Sequence, residues 1–255
     1  MIFTGNPAVI GHRGFGAGQP GGHRENSMAA YRAAVAHGLP WIELDVQRSR
    51  DGQLVIAHDP VTADGTFLVT RTAAQLAAAG ILRFEDVLAE LPADLAINVD
   101  VKTIIQDALD PPAERTGALL AAALRRHAGQ RQLLVTSFDP GLVVYLRDQA
   151  LPEVALGLIT VENFPSRHAF PAAVALGLDV VSLHTSTLGL RPDRPPRPGS
   201  GPAEIIDGAH RAGLEVLAWA PGPADAARLA AAGADAVCVD DVPGVLALLG
   251  PPARG

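Results

Sequence analysis

The sequence predicts an α/β protein built as a closed (β/α)8 barrel, and three observations predict it. Short apolar, β-branched runs alternate with Ala-rich stretches of helical character along the whole chain, the pattern of βαβ units around a parallel sheet. Gly38, Gly129, Gly177, Gly213 and Gly233 each follow a helical stretch, where a left-handed C-cap would end it. The chain has 255 residues, close to the roughly 250 that eight such units occupy. A doubly wound open sheet is the alternative arrangement of the same units.

The strands expected are Ala8–Gly11, Trp41–Val46, Leu54–His58, Leu95–Val101, Leu133–Thr136, Val154–Leu158, Val180–Leu183, Val216–Trp219 and Ala236–Val239. Between them fall helices near Ser27–His37, Phe84–Leu91, Ala113–His127, Gly141–Gln149, Ala172–Leu176, Ala203–Ala212, Ala224–Ala232 and Val242–Leu249. Asn26-Ser27 and Asp139-Pro140 carry the capping and first-turn residues of helix starts. Eight units fit, with Leu54–His58 as an extra strand paired after Trp41–Val46. Asp59–Gly80 and the Pro- and Arg-rich Leu190–Gly201 break the rhythm and are expected as loops at the barrel mouth. Neither can hold a second domain, so residues 1–255 are read as one.

Hydrophobic residues make up 48% of the chain, enough for a substantial core and against extended disorder. Twenty basic residues face 27 acidic ones, for a formal charge of −7, with no Lys/Arg block. The electrostatic footprint of a nucleic-acid binder is missing. A chain of this charge that handles phosphates must gather positive charge locally. The single Cys238 excludes an internal disulfide and paired-cysteine zinc sites, and in the run Ala236–Val239 it reads as a small buried hydrophobe. The N-terminus shows no basic stretch leading into a long apolar one, and no apolar run approaches the ~20 residues of a membrane span. A cytoplasmic protein without an integral membrane segment is expected.

Side chains alternate faces along a strand. In Trp41–Val46, Ile42, Leu44 and Val46 share one face and Glu43 and Asp45 the other. In Ile97–Lys102, Asn98, Asp100 and Lys102 lie opposite the aliphatic face. A barrel strand turns its aliphatic face to the helices, so Glu43, Asp45, Asp100 and Lys102 are expected to point inward. Three carboxylates converging there cannot all stay ionised alone, because desolvation and repulsion raise their pKa values. A bound cation and a paired base relieve this, and hard oxygen ligands suit Mg²⁺ or Ca²⁺ better than zinc. Lys102 is available to offset charge or to contact a phosphate.

His12, in Gly11-His12-Arg13-Gly14, ends the first strand, and His58 ends Leu54–His58. Strand-to-loop junctions are where such barrels build active sites. Two histidines suit hydrolysis of a phosphodiester, one accepting a proton from the nucleophile and the other donating one to the leaving alkoxide. Arg13 offers a planar, permanently charged fork for phosphate oxygens. His23, His37, His127, His168 and His210 read as helix-end or loop residues, whereas His184 follows a strand and is a candidate for the mouth.

Together these residues resemble the glycerophosphodiester phosphodiesterase family. Its opening pattern appears as His12-Arg13-Gly14 and Glu25-Asn26-Ser27, and its next block as Glu43-Leu44-Asp45-Val46 and Ser49 through His58-Asp59. Thr136–Asp139, Leu217-Ala218-Trp219, Gly233–Asp235 and Asp240–Pro243 look like its later strand signatures. The resemblance implies a (β/α)8 TIM barrel of the phospholipase-C-like phosphodiesterase type. It implies hydrolysis of a small-molecule glycerophosphodiester to an alcohol and glycerol 3-phosphate with a divalent cation.

By that resemblance His12 and His58 are the acid/base pair, Arg13 binds phosphate, and Glu43 and Asp45 bind the metal. Asp100, with Lys102, stands where the family's third metal carboxylate is a glutamate, one methylene longer. Glu25 and Trp219 are carried over as site-organising residues. Ser27 replaces the usual Thr but keeps a capping hydroxyl, and Val69–Thr72 departs from the family's continuation after His58. Two other readings remain: a lysophospholipase D-like activity on lipid headgroups, and a non-catalytic barrel that binds phosphodiesters.

Overall fold

The computed structural model describes residues 1–4, 7–191 and 201–250. The apolar runs form strands β1 (Ala8–Gly11), β2 (Trp41–Arg48), β3 (Leu54–Ile56), β4 (Ala96–Val101), β5 (Leu133–Ser137), β6 (Val154–Ile159), β7 (Val180–His184), β8 (Glu215–Trp219) and β9 (Ala236–Val239). All except β3 pair in parallel with their neighbours, and β1 pairs with both β2 and β9. That double pairing closes the eight-stranded barrel and removes the open sheet as an alternative. Helices α1 (Met28–Ala36), α2 (Ala73–Ala78), α3 (Phe84–Glu90), α4 (Thr116–His127), α5 (Pro140–Asp148), α6 (Ser166–Ala175), α7 (Pro202–Arg211), α8 (Pro223–Ala231) and α9 (Val242–Leu249) lie between and after the strands.

Two apolar layers result from the alternation along each strand. Ile42, Leu44 and Val46 on β2 and Ile97, Val99 and Val101 on β4 join the layer beneath the helices. Facing inward, Ile10, Trp41, Ala96, Leu134, Val180, Leu217, Ala236 and Cys238 form a separate plug. Phe3 belongs to the plug and sits against Trp41, with ring centroids 5.3 Å apart. The β2–β4 register pairs Trp41 with Ala96, Glu43 with Asn98 and Asp45 with Asp100. The carboxylates therefore lie in the layers above the plug, toward the C-terminal ends of the strands.

The expected extra strand is antiparallel to β2, with Val46 opposite Ile56 and Arg48 opposite Leu54. A strand running that way would normally end at the wrong rim of the barrel. Here β2 overshoots to Arg48, so β3 starts beyond the rim and descends to it. His58, two residues past β3, arrives at the mouth by that descent rather than by ending a parallel strand.

Other differences have local causes. Asp59–Gly80 is not all loop: Thr72 and Gln75 form a reciprocal capping box that starts α2. The helix expected from Ala172 begins at Ser166 and carries Pro171 inside it, a residue that reads as a helix start. The helix expected from Ala113 begins at Thr116, after a separate turn at Pro112–Glu114. The expectation for Leu190–Gly201 falls mainly on residues 192–200, outside the described residues. Among the described residues no helix is long and apolar enough to cross a membrane.

Candidate active site

The mouth is organised by the turn that follows β1. Arg13 adopts a left-handed backbone (φ 50°), uncommon for a residue with a Cβ. This aims its N–H at Glu43, whose Oε2 accepts at 2.7 Å. Gly14, at φ 99°, packs directly on α1: a Cβ there would lie 2.8 Å from the Tyr31 ring. Only glycine satisfies both demands.

Glu43, Asp45 and Asp100 come together as expected, each offering an oxygen, all of these within 4.8 Å of one another. All three are buried. Glu43 Oε1, Asp45 Oδ1 and Asp100 Oδ1 are buried without a hydrogen-bond partner, although Lys102 Nζ stands 3.0 Å from Asp45 Oδ1. Orphaned anionic oxygens are costly in a protein interior, and hard, oxygen-only donors are what a divalent cation of the Mg²⁺ or Ca²⁺ type takes. The residues present fit such an ion. Asp100, although shorter than a glutamate, belongs to the cluster.

The three carboxyls do not behave alike. Burial pushes the Glu43 carboxyl up to about 8, aided by the Asp45 charge and opposed by His12. Burial also raises Asp100, with Lys102 opposing and Asp45 assisting. Asp45 goes the other way. Burial would raise it, but Lys102, Arg13 and a hydrogen bond from Asn26 outweigh burial and hold it below the usual carboxylate range. The relief expected from a paired base falls on Asp45, where Lys102, Arg13 and the Asn26 amide converge.

Asn26 donates to Asp45 Oδ2 at 2.8 Å, and Tyr31 Oη donates to Asn26 Oδ1 at 3.0 Å, fixing which end of the amide faces the acid. Arg13 Nη1 donates to Glu25 Oε1 at 2.8 Å, while its Nε lies 3.4 Å from Asp45 Oδ2. Glu25 also accepts from the Gly18 N–H. Lys102, the only lysine in the chain, donates to Asp100. Burial would lower its pKa, but Asp100, Asp45 and Glu43 raise it. Each cation is thus already paired with carboxylates.

His12 and His58 each have a carboxylate on Nδ1. His12 Nδ1 is 2.7 Å from Asp240 Oδ1 and His58 Nδ1 is 2.9 Å from Asp59 Oδ1. A carboxylate only accepts, so Nδ1 carries the hydrogen and Nε2 is left for chemistry. His12 Nε2 lies 4.0 Å from Glu43 Oε2. Burial lowers the His12 pKa, but the Asp240 bond and the Glu43 and Asp240 charges overcome this and leave it raised. Gln47 Nε2 donates to the carbonyls of Ala57 and His58, both at 3.0 Å, and so fixes the chain that carries His58.

His12, Arg13, Glu43, His58, Asp100, Lys102 and Trp219 line one cavity of about 210 Å³, with Phe138 and Cys238 also on its wall. Trp219 lies 4.4 Å from the His184 ring at a tilt of 60° and edge-on at 6.2 Å to Phe138, and its Nε1 is buried without a partner. Burial raises the Cys238 thiol well above its ordinary value, in keeping with a buried hydrophobe. Asp240, Asn26 in its contact with Asp45, and Phe138 were not singled out as site residues by the sequence. For Asp240 a signal exists: it directly follows β9, at the rim where the other site residues sit.

The sequence pattern of the glycerophosphoryl diester phosphodiesterase family matches residues 12–243. A glycerophosphodiester phosphodiesterase of Caldanaerobacter subterraneus subsp. tengcongensis is 27% identical over 252 residues, covering 91% of this chain and 93% of its own. The fold is shared with a solved Oleispira antarctica phosphodiesterase, at a TM-score of 0.73 and 23% identity over 95% of this chain and 96% of that one. It is shared too with a solved Thermotoga maritima glycerophosphodiester phosphodiesterase, at a TM-score of 0.70 and 19% identity over 94% and 96%. With the family pattern running from His12 to Pro243, across every strand but β1, the chain belongs to the glycerophosphoryl diester phosphodiesterase family.

Proposed function

We propose that the protein hydrolyses glycerophosphodiesters to an alcohol and glycerol 3-phosphate. In this reading His12 and His58 form the acid–base pair, and Glu43, Asp45 and Asp100 hold a divalent cation, Mg²⁺ or Ca²⁺. The observation that carries it is three buried carboxylates whose oxygens converge within 4.8 Å, those of Glu43 and Asp100 including one without a partner, below a cavity lined by two histidines that present Nε2. The Oleispira antarctica phosphodiesterase of the same fold was solved with the product sn-glycerol-3-phosphate, which agrees with this substrate class.

A divalent cation held by Glu43, Asp45 and Asp100 would supply Lewis-acid polarisation of the phosphoryl group and offset charge in the transition state. The chain's own groups do the rest. Arg13 and Lys102, both on the cavity wall, place fixed positive charge where the oxyanion develops. One imidazole takes a proton at Nε2 from the nucleophile and the other returns one to the leaving alkoxide. Asp240 and Asp59 hold the two rings in the tautomer this needs. The apolar plug below closes the barrel to water from the opposite end.

Release of glycerol 3-phosphate from glycerophosphocholine, with Mg²⁺ or Ca²⁺ and with chelator, tests the reading. Turnover that chelation abolishes is the expected result. Phosphodiester binding without turnover, indifferent to chelator, would instead identify a binding barrel.

A further inference from the structure

The catalytic cavity, at about 210 Å³, falls below the roughly 300 Å³ at which common ligand pockets begin. It is small for a whole phosphodiester. A second cavity of about 640 Å³ opens beside it, and His58 lines both. Glu25 stands in the wall of the larger space, and Arg13, its ion-pair partner at 2.8 Å, in the wall of the smaller. The two spaces therefore meet along His58 and the Arg13–Glu25 pair.

Charge in the wall of the larger cavity is unevenly satisfied. Glu25 is held by Arg13, Asp59 lies 2.9 Å from His58 Nδ1, and Asp64 accepts from Arg71 at 2.6 Å. Each acid thus has a basic partner. Arg24, in the same wall, has no acidic one. Among the described residues its guanidinium makes no ion pair and no hydrogen bond.

The position of Arg24 is nonetheless defined. Its carbonyl accepts at 2.5 Å from Oγ of Ser27, the residue that caps α1, and the N–H of Glu25 donates to the Gly18 carbonyl at 2.8 Å. The side chain reaches the segment that follows α2, where a Cβ added at Gly80 would lie 3.3 Å from Arg24 Nη1. The guanidinium therefore stands in the cavity wall with its donors unused, although it makes no bond to the carbonyls that end α2. A free fork of this kind takes the oxygens of a carboxylate or a phosphate in pairs.

We infer that the larger cavity receives the departing alcohol of the diester, and that Arg24 selects alcohols bearing an anionic group, a carboxylate or a phosphate. This rests on the phosphodiesterase function proposed above. The chain's formal charge of −7 opposes such substrates at long range, so a preference for them has a local origin.

The test uses matched pairs that differ only in that group. Glycerophosphoserine is glycerophosphoethanolamine with an added carboxylate, and glycerophosphoglycerol phosphate is glycerophosphoglycerol with an added phosphate. In the wild type kcat/KM favours the anionic member by about fivefold, the upper reach of an exposed pair. The ratio shrinks as salt approaches ~1 M, where the Debye length is about 3 Å. Arg24→Met brings it to unity or below, Arg24→Glu inverts it, and Arg24→Lys keeps part of it should the other two not fold. A preference in one pair alone identifies the group as carboxylate or as phosphate. Equal rates within both pairs, faster turnover of the members lacking the group, or a preference that survives Arg24→Met overturns the Arg24 site and leaves the phosphodiesterase reading intact. If no member of either pair is hydrolysed with Mg²⁺ or Ca²⁺ present, both readings fall.

Discussion

His12 Nδ1 lies 2.7 Å from Asp240 Oδ1, and the two residues directly follow the first and last strands of a closed ring. Closure of the barrel is what makes the pair. Asp240 also accepts from the Ala17 N–H at 2.8 Å, so it ties the turn after β1 to the imidazole. Asp240→Asn keeps the shape but can offer an amide N–H to Nδ1, which moves the ring hydrogen to Nε2. We expect kcat to fall about 10²-fold with KM little changed and the fold intact. Steady-state kinetics on glycerophosphocholine, beside a circular dichroism spectrum, would show it; an unchanged kcat would remove Asp240 from the mechanism.

The same pair predicts a pH window for stability. His12 is raised in the folded protein, so its contribution is full below its unfolded value of about 6.5 and fades as pH rises through the folded value. Asp240 is lowered, first by its bond to His12, so its contribution holds above about 3.9 and is lost as pH falls through the folded value. Both act together between about pH 4 and 6.5. Asp240 is half exposed, so the effect is at most about 1 kcal/mol. Thermal melts of wild type and Asp240→Asn in chelator should differ most in that window and converge above it.

Charge placement among the carboxyls predicts opposite outcomes for two isosteric changes. Glu43, held up to about 8 by burial, is largely protonated at pH 7, so Glu43→Gln leaves the cation-free fold within about 1 kcal/mol. Asp45 is ionised between Lys102 and Arg13. Asp45→Asn takes the shared counter-charge from both and costs about 3 kcal/mol. Urea unfolding of the two variants in chelator would measure the contrast, and equal losses would contradict it.

Cation uptake should expel that Glu43 proton. With its folded value near 8 and its unfolded value near 4.3, the buried carboxyl weakens the cation-free fold as pH rises between them. A ligated carboxylate must be deprotonated, so binding releases about one proton at pH 7 and tightens as pH approaches 8. Calorimetric titration with Mg²⁺ or Ca²⁺ in two buffers of different ionisation heat counts that proton. Glu43→Gln should release none.

Much of the site was legible because it follows from alternation on two strands. Glu43, Asp45, Asp100 and Lys102 face inward for the same reason that Ile42, Leu44 and Val99 face the helices. His12 and Arg13 were legible as a motif at a strand end. The route by which His58 reaches the rim was not, since nothing local announces that β2 overshoots and β3 runs back. Contacts such as His12–Asp240 and Phe138–Trp219 join residues brought together by ring closure, and no local pattern encodes a partner far along the chain. The depressed Asp45 was hidden for a related reason: its pKa depends on which neighbours point at it. Helix α2 was readable from Thr72-x-x-Gln75 but is too short to show a periodic face.

The most direct test is the initial rate of glycerol 3-phosphate release from glycerophosphocholine by wild type, His12→Ala and His58→Ala, each with cation and then with chelator. The account predicts turnover in the cation-loaded wild type, its loss on chelation and recovery on adding cation back. It predicts losses of about 10²–10⁴-fold in each folded histidine variant. Wild-type rates in either variant, or turnover indifferent to chelation, would contradict a site built from two histidines over a cation held by Glu43, Asp45 and Asp100.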